Sequence, residues 1–157
     1  MDKDAITIRK ATPADASAIQ SLVKSLAHFY CKEPNLPIPA WLEDTLTLAS
    51  FRGRLSDSEY DNRVMEVRTS EGKAELLGYI AMRGGSHLYH LFVAEEHQGK
   101  GYSTALWKAL EEDHKQEAYT VRSSLNAVPV YRRLGFMPVG EVAEKDGIGY
   151  QVMKWAI

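Results

Sequence analysis

The sequence predicts a mixed α+β (α/β) domain, with helices flanking a mostly antiparallel sheet of about six or seven strands. Short apolar or alternating runs, separated by turn residues, recur along the chain as the strands of such a sheet do. Two longer stretches repeat apolar residues at helical spacing. The fifth strand follows a connection that must cross back, so we expect it to pair parallel with the strand before it.

Local signals predict the elements of the first half. A helix starts at the N-cap Thr12, with Pro13 at its first position, and runs to about residue 30. Shorter helical segments follow over residues 40–55 and are broken near Gly53. The strands of the whole chain are expected at residues 6–9, 62–69, 75–82, 86–93, 118–122, 137–144 and 148–155.

Glycines mark the turns of the second half. Gly78 lies in mid-strand, which indicates a bulge or a close backbone approach. The helix after the fourth strand is expected to reach about residue 115. A further helix is capped by Ser124 and ends at Gly135, and a final hairpin turns at residues 145–147.

The composition is that of an ordinary globular domain, with 157 residues, 45% of them hydrophobic and 25% charged. We expect one domain over residues 1–157. The net charge of −2 gives no polybasic signal, so neither nucleic acid nor an anionic membrane is expected as a partner. The single cysteine, Cys31, excludes an internal disulfide, and no run resembles a signal core or a membrane span. These features favour the cytoplasm.

A glycine-rich turn joins the fourth strand to the helix that follows it. Gly99 and Gly101 lie in this turn, where glycine allows positive φ and a close approach of the backbone to a ligand. The helix N-terminus behind it has unpaired N–H groups and a dipole that attract phosphate. A plain strand–turn–helix connection is the alternative. The spacing matches neither a Walker loop nor a dinucleotide fingerprint.

This turn resembles the acyl-CoA pyrophosphate loop of the GNAT acyltransferase superfamily, whose pattern is Gln/Arg-x-x-Gly-x-Gly/Ala. Gln98, Gly101 and Ser103 stand at its three fixed positions, although Ser103 departs from Gly/Ala. Residues 127–136 (AVPVYRRLGF) resemble the C-terminal helix motif of the same superfamily, and residues 8–15 (IRKATPAD) resemble its usual opening.

The resemblance implies that acetyl-CoA is the co-substrate and that the strands of the sheet part at its site. It also implies that Tyr131 protonates the departing CoA thiolate, since a phenol holds its proton at neutral pH. The alternative is that Tyr131 only packs or binds CoA. Backbone groups of Leu91 and Val93 would bind the pantetheine arm as an added strand. The residues implied in acetyl-CoA binding are Leu91, Phe92, Val93, Gln98, Gly99, Lys100, Gly101, Tyr102, Ser103, Thr104, Ser124 and Tyr131.

The attacking amine must be neutral, so a base or a water chain is expected. Some relatives carry Glu on the strand before the loop, whereas this chain has His87 and His90 there. Because the two are three residues apart on a strand, we expect them to point to opposite faces, so that at most one faces the cleft. Alignment with the relatives' carboxylate selects His87 as the catalytic base, and an edge or core histidine is the alternative.

The acceptor site is less well defined by the sequence. In the resembling fold, residues 28–60 form one of its walls, so Phe29, Tyr30 and Trp41 are the candidate acceptor-binding residues, with core packing as the alternative. Arg122 stands where close relatives often carry Asn, and its charge either alters the acceptor pocket or pairs with a CoA phosphate. A small-molecule amine and a peptide amine both stay open as acceptors, and a homodimer is possible.

The predicted function is acetyl transfer from acetyl-CoA to a primary amine by direct attack. No serine lies in a G-x-S-x-G turn and Cys31 has no clear base, so an acyl-enzyme is not expected. No cluster of His, Cys or carboxylate residues has metal-ligand spacing, so no metal is expected. The alternative function is a non-catalytic acyl-CoA sensor or scaffold of the same fold.

Overall fold

The computed structural model describes residues 5–26 and 39–156, which form a mixed sheet with helices on both faces. The strands are β1 Ala5–Lys10, β2 Tyr60–Arg68, β3 Ala74–Arg83, β4 His87–Val93, β5 Ala118–Ser124, β6 Met137–Pro138, β7 Ala143–Lys145 and β8 Ile148–Ala156. The helices are α1 Ala16–Ser25, α2 Ala40–Thr45, α3 Leu48–Ser56, α4 Tyr102–Asp113 and α5 Val128–Leu134. Short 3-10 turns span Pro13–Asp15, Glu95–His97 and Leu125–Ala127.

The sheet has the order β1-β2-β3-β4-β5-β8-β6, with β7 also paired to β8. Every neighbouring pair is antiparallel except β4 and β5, which run parallel as the crossover predicts. The mixed, mostly antiparallel fold class is confirmed. Eight strands form where about seven were predicted, because the first strand of the last hairpin is interrupted around Gly140, whose φ is 73°.

The first helix begins as its sequence signature predicts. Asp15 accepts a hydrogen bond from the backbone N–H of Thr12 at 2.8 Å, which is half of a capping box. Arg9 ties this turn to the sheet through ion pairs with Asp15 (2.8 Å) and Glu66 (3.0 Å). The helix ends at Ser25, short of the predicted end near residue 30, and residues 27–38 lie outside the described ranges.

The predicted helix break near Gly53 is wrong. The chain breaks between α2 and α3, where the Thr47 side chain accepts a hydrogen bond from the Ser50 N–H at 3.1 Å and caps the new helix. Gly53 lies inside α3, and an added Cβ there would meet no atom within 4 Å. Its glycine therefore costs only helix propensity, about 1 kcal/mol, which a formed helix tolerates.

The core has two parts, one on each face of the sheet. On one face Leu106, Trp107 and Leu110 of α4 pack with Tyr119 and Val121 of β5. On the other face Ile19 and Val23 of α1 pack with Phe51 of α3 and with Tyr79 of β3. Because α1 and α3 cover only the β1–β4 half, the outer face of β5 and β8 carries exposed residues, among them Val152.

Gly78 lies beside a bulge and at a close backbone approach, the two features that its mid-strand position indicates. The β2–β3 register shifts between Met65 and Glu66, which leaves Leu77 as the extra residue of a bulge. An added Cβ at Gly78 would lie 2.8 Å from Leu106 Cδ1 and 3.1 Å from the Phe92 carbonyl oxygen. The glycine therefore allows α4 and β4 to approach β3.

Among the helices of the described ranges, none is long and apolar enough to cross a bilayer.

Candidate active site

A cleft opens inside the sheet where β4 and β5 part. The two strands share only the register pairs His87–Thr120 and Leu88–Val121. Beyond these pairs β4 continues along β3 as far as Val93, and β5 continues along β8 as far as Ser124. Each strand therefore has one unpaired edge facing the other, which is available to an extended ligand.

A cavity of about 890 Å³ fills this cleft, a size typical of ligand sites. Lys100 is the one residue predicted to bind acyl-CoA that does not line it, and its Nζ lies 3.4 Å from His97 Nδ1. The other eleven predicted residues line the cavity: Leu91, Phe92, Val93, Gln98, Gly99, Gly101, Tyr102, Ser103, Thr104, Ser124 and Tyr131.

Several lining residues were not predicted from the sequence. Ala127, Val130 and Leu134 share the face of α5 and its preceding turn that carries Tyr131, so the helical period could have indicated them. Leu26, just after α1, lines the cavity from an element far away in the sequence, and no local signal places it there. Asn126 and Arg133 also line the cavity, as does His97, for which its place beside the loop indicates a solvated or phosphate-side residue.

The glycine-rich turn has the geometry of an open N-terminal loop. Gly99 and Gly101 have φ values of 80° and 83°, which disfavour any side chain with a Cβ. An added Cβ at either position would meet no atom within 4 Å, so these glycines face open space rather than a packed neighbour. Gln98 closes the turn, because its Nε2 donates to the Val93 carbonyl oxygen at 3.0 Å.

Helix α4 starts with its N–H groups directed at this cavity. Gly101 is its N-cap and has no side chain to bond them, and the first backbone bond within the helix runs from Ala105 N–H to the Gly101 oxygen. Tyr102, Ser103 and Thr104 therefore begin a 12-residue helix whose first-turn N–H groups lack intrahelical acceptors. Such a terminus favours phosphate.

Tyr131 lies on the opposite wall of the cavity. Its side chain is buried, and burial raises the pKa of the phenol, so the group is protonated at neutral pH. Its ring packs edge-on against Phe136 at 5.9 Å between centroids. Gly135 ends α5 with φ 106°, and an added Cβ there would lie 2.6 Å from Trp155. The helix that carries Tyr131 is therefore held firmly at its C-terminus.

Residues 31–157 match the family profile of the acetyltransferase (GNAT) domain. The chain belongs to the GNAT acetyltransferase family. A search among curated proteins finds no match.

Solved structures of GNAT proteins share the fold at low sequence identity. An N-acetyltransferase from Thermoplasma acidophilum in complex with coenzyme A has a TM-score of 0.72 at 15% identity, with 98% of this chain and 99% of that chain covered. A ribosomal-protein alanine N-acetyltransferase from Escherichia coli has a TM-score of 0.66 at 16% identity, covering 98% and 94%. A mutant spermidine N-acetyltransferase from Vibrio cholerae has a TM-score of 0.64 at 16% identity, covering 96% and 93%.

The prediction that His87 and His90 point to opposite faces is wrong, because β4 contains a bulge. The β3–β4 register shifts between Ala81 and Met82, which leaves Tyr89 of β4 without a cross-strand register partner on β3. Leu88 and Leu91, also three apart, consequently pack in the same core under α4 and α5. Both histidines lie on the other face.

His87 lies in the last pairs before β4 and β5 part, at the closed end or apex of the cleft, and does not line the cavity. Its Nδ1 is 2.9 Å from Thr120 Oγ1. Partial burial lowers the pKa of the His87 imidazole, and the positive charges of Arg83 and Arg122 lower it further. The ring is therefore neutral at pH 7, which is the state a base requires.

His90 is enclosed by aromatic rings. Its ring centroid lies 5.3 to 6.0 Å from those of Phe51, Tyr79 and Phe92. Burial, with a smaller effect from Arg54, lowers its pKa to about 3, and its Nε2 is buried without a hydrogen-bond partner among the described residues. His90 therefore serves as a neutral core group in this GNAT domain.

Trp41 does not line the cavity. Its Nε1 donates to Asp146 Oδ2 at 2.9 Å, and Lys145 Nζ lies 4.6 Å from the centre of its ring. The side chain thus joins α2 to the β7–β8 turn. The other two residues predicted to bind the acceptor, Phe29 and Tyr30, lie outside the described residues.

One group of side chains in the described ranges has ligand atoms close enough for a metal ion. The ligand atoms of Glu75, Glu96 and His97 lie within 4.8 Å of one another beside the loop, and both carboxylates are exposed. The ammonium group of Lys100 is 3.4 Å from the same imidazole and opposes a cation there.

Proposed function

We propose that this GNAT domain, over residues 1–157, transfers an acetyl group from acetyl-CoA to a primary amine. One observation carries the proposal: a single cavity in the parted sheet joins the open N-terminus of α4 to the buried phenol of Tyr131. The coenzyme A complex of the similar Thermoplasma protein supports acetyl-CoA as the co-substrate.

The cavity offers a distinct partner to each part of acetyl-CoA. The N–H groups at the start of α4, opened by Gly99 and Gly101, would hold the pyrophosphate. The edge of β4 that faces the cleft would pair with the pantetheine arm, through backbone groups of Leu91 and Val93, as an extra strand would. Ser124 lines the cavity at the end of β5, across the cleft from this edge.

In the proposed reaction the amine nitrogen attacks the thioester carbonyl carbon and the C–S bond breaks. Tyr131 donates its proton to the departing sulfur, and the nitrogen loses one proton, giving an N-acetyl amide and free CoA. The raised pKa of Tyr131 does not oppose this transfer, because the same burial raises the pKa of a thiol held beside it. Desolvation therefore raises the pKa of the proton donor, Tyr131, and of the proton acceptor, the CoA sulfur, in the same direction.

We propose His87 as the group that receives the proton of the amine. Its imidazole is neutral at pH 7 and lies at the apex of the cleft. Because it does not line the cavity, the proton would reach it through an intervening water. Acceptors of the relatives, spermidine and a ribosomal protein alanine, support an amine acceptor in a small molecule or a peptide.

The test is thiol release from acetyl-CoA with a panel of amines, comparing wild type with Tyr131→Phe. We expect turnover by wild type and a loss of about 10²- to 10⁴-fold in kcat for the mutant, with CoA affinity unchanged. Tyr119→Phe is the matched control. It also removes a hydroxyl from a buried tyrosine under α4, but that hydroxyl bonds His114 and Gln116, away from the cavity.

The outcomes separate the roles. Equal kcat values for Tyr131→Phe and Tyr119→Phe would contradict the acid role of Tyr131. Tight CoA binding by wild type with no acceptor raising thiol release above hydrolysis would favour the non-catalytic sensor instead.

A further inference from the structure

Arg122 lies at the apex of the cleft, on the sheet face away from the pyrophosphate loop. It is the first residue of β5 beyond the last β4–β5 pair, Leu88–Val121. Tyr119 and Val121 point into the core under α4 and α5, so strand alternation places the exposed Arg122 on the other face. The sheet therefore separates its guanidinium group from a phosphate bound at α4. Of the two roles considered from the sequence, this position favours a role at the acceptor.

The guanidinium group is held in place by an aromatic ring. Its Cζ lies 4.6 Å from the ring centre of Tyr150, whose cross-strand partner is Ser124 at the cavity wall. None of the ion pairs in the described part of the chain involves Arg122. A guanidinium stacked in this way keeps its N–H edge available for a planar anion.

Positive charge lies near this apex on the two strands that flank β4, with Arg83 on β3 and Arg122 on β5. Arg83 ends β3 and His87 begins β4, and the charges of Arg83 and Arg122 both act on the His87 ring. Arg83, like Arg122, takes part in no ion pair among the described residues. The carboxylate of Asp146, on the β7–β8 turn, already has a partner, because it accepts a hydrogen bond from Trp41.

We propose that the acceptor is an amine that also carries a carboxylate or phosphate group, and that Arg122, stacked on Tyr150, binds this anion. The proposal rests on the proposed acetyltransferase function and adds the substrate class. Acetyl-CoA enters from the α4 side, so the amine approaches from the face that carries Arg122. An arginine fork suits such an anion through paired, charge-assisted hydrogen bonds.

The positive charges of Arg83 and Arg122 also act on the amine of the acceptor. A positive charge near an ammonium group lowers its pKa, so the neutral form that attacks the thioester is favoured at the apex. It also repels an acceptor with several positive charges. We therefore expect spermidine, the substrate in the name of the Vibrio relative, to be a poor acceptor here.

The experiment uses matched acceptor pairs that differ only in the anion. A free amino acid is compared with its amide for the carboxylate, and phosphoethanolamine with ethanolamine for the phosphate. Spermidine is the cationic comparison. We measure kcat and KM by thiol release for wild type, Arg122→Gln and Lys154→Gln. Lys154 is the control because it is exposed on the same face and pairs with Thr120, away from the open cleft.

Wild type should prefer at least one anionic acceptor over its neutral partner by about 10- to 100-fold in kcat/KM, the effect expected of a charge-assisted hydrogen-bonded pair. Arg122→Gln should lose this preference mainly through KM, with unchanged CoA affinity, and its rates on the neutral amines should fall much less than its rates on the anionic ones. Lys154→Gln should keep it. The pair that shows the effect identifies the source of the anion.

Equal rates for the anionic and neutral partners in wild type would overturn the proposal, and so would an equal loss on both partners in Arg122→Gln. If no amine is acetylated, the proposed function fails, and calorimetry on the CoA-loaded protein decides the anion site separately. Binding of an anionic amine that Arg122→Gln abolishes would sustain the site, and absence of such binding would overturn it.

Discussion

The two ends of helix α4 differ in whether side chains of the protein bond their polar groups. At the C-terminus the buried Arg63 donates to the Ala109 carbonyl oxygen at 3.3 Å and to Asp113 at 2.6 Å, and it pairs with Asp61. At the N-terminus Gly101 brings no side chain, and the first-turn N–H groups face a cavity. A helix leaves its terminal groups unsatisfied at both ends.

The difference indicates where a ligand belongs. The side chain of Arg63 bonds a backbone carbonyl and a carboxylate near the C-terminal end, so that end contributes to stability. The N-terminal end is left for a bound group to complete, which is why it carries the proposed phosphate site. Substitutions at the two ends should therefore separate folding from binding.

The largest effect is expected from Arg63→Met at the closed end. The substitution leaves the largely buried Asp61 with only the His114 imidazole, at 2.7 Å, as an ion-pair partner within the described part of the chain, and should lower the free energy of unfolding by about 3 kcal/mol. CoA affinity of the folded protein should not change. Urea denaturation and a CoA titration measure the two quantities. A loss of CoA affinity without a loss of stability would contradict the assignment of this end of α4 to folding.

At the open end, Gly101→Ala should weaken CoA binding as well as folding. The left-handed φ of 83° disfavours alanine by about 1–2 kcal/mol, but no neighbour is displaced. The new methyl group adds bulk in open space at the N-cap of α4, so we expect CoA affinity to fall by about tenfold.

Gly53→Ala is the control for this substitution. It also places a Cβ in open space but in a helix interior, so it should raise stability by about 0.5–1 kcal/mol and leave CoA affinity unchanged. Comparable CoA affinities for Gly101→Ala and wild type would show that the open end is not the phosphate site.

The smallest effect concerns pH at the closed end. Burial alone would raise the pKa of Asp61, but hydrogen bonds from Arg63 and His114 outweigh it and lower the pKa to about 2 from an ordinary 3.8. A depressed carboxylate pKa stabilises the fold above pH 3.8, and that stability is lost as the pH falls towards 2.

The stability difference between wild type and Asp61→Asn should therefore be constant near neutral pH. It should shrink by about 1 kcal/mol between pH 4 and pH 2, the value being reduced for partial exposure. Urea midpoints across this range measure it. A difference that is independent of pH would contradict the coupling of Asp61 to Arg63 and His114.

The sequence by itself determined the features that depend on neighbouring residues. Thr12 and Pro13 start the first helical segment, Gly99 and Gly101 open the loop, and Gly135 ends the helix that carries Tyr131. Each of these residues restricts or frees its own backbone angles, so the signal is readable without the fold. The fold class followed from the strand and helix patterns, and the predicted lining of the cavity followed from the resemblance of the sequence motifs to a known family.

Only the tertiary structure decided the features that depend on distant partners. The bulge at Tyr89 arises from the register between β3 and β4, and it turned His87 and His90 to one face against the expected alternation. Trp41 bonds a turn more than 100 residues away. Arg122 lies at the point where β4 and β5 part, on the sheet face that α4 does not cover, and the tertiary structure alone decides both. Register and packing between elements are properties of pairs of segments, and no local pattern encodes them.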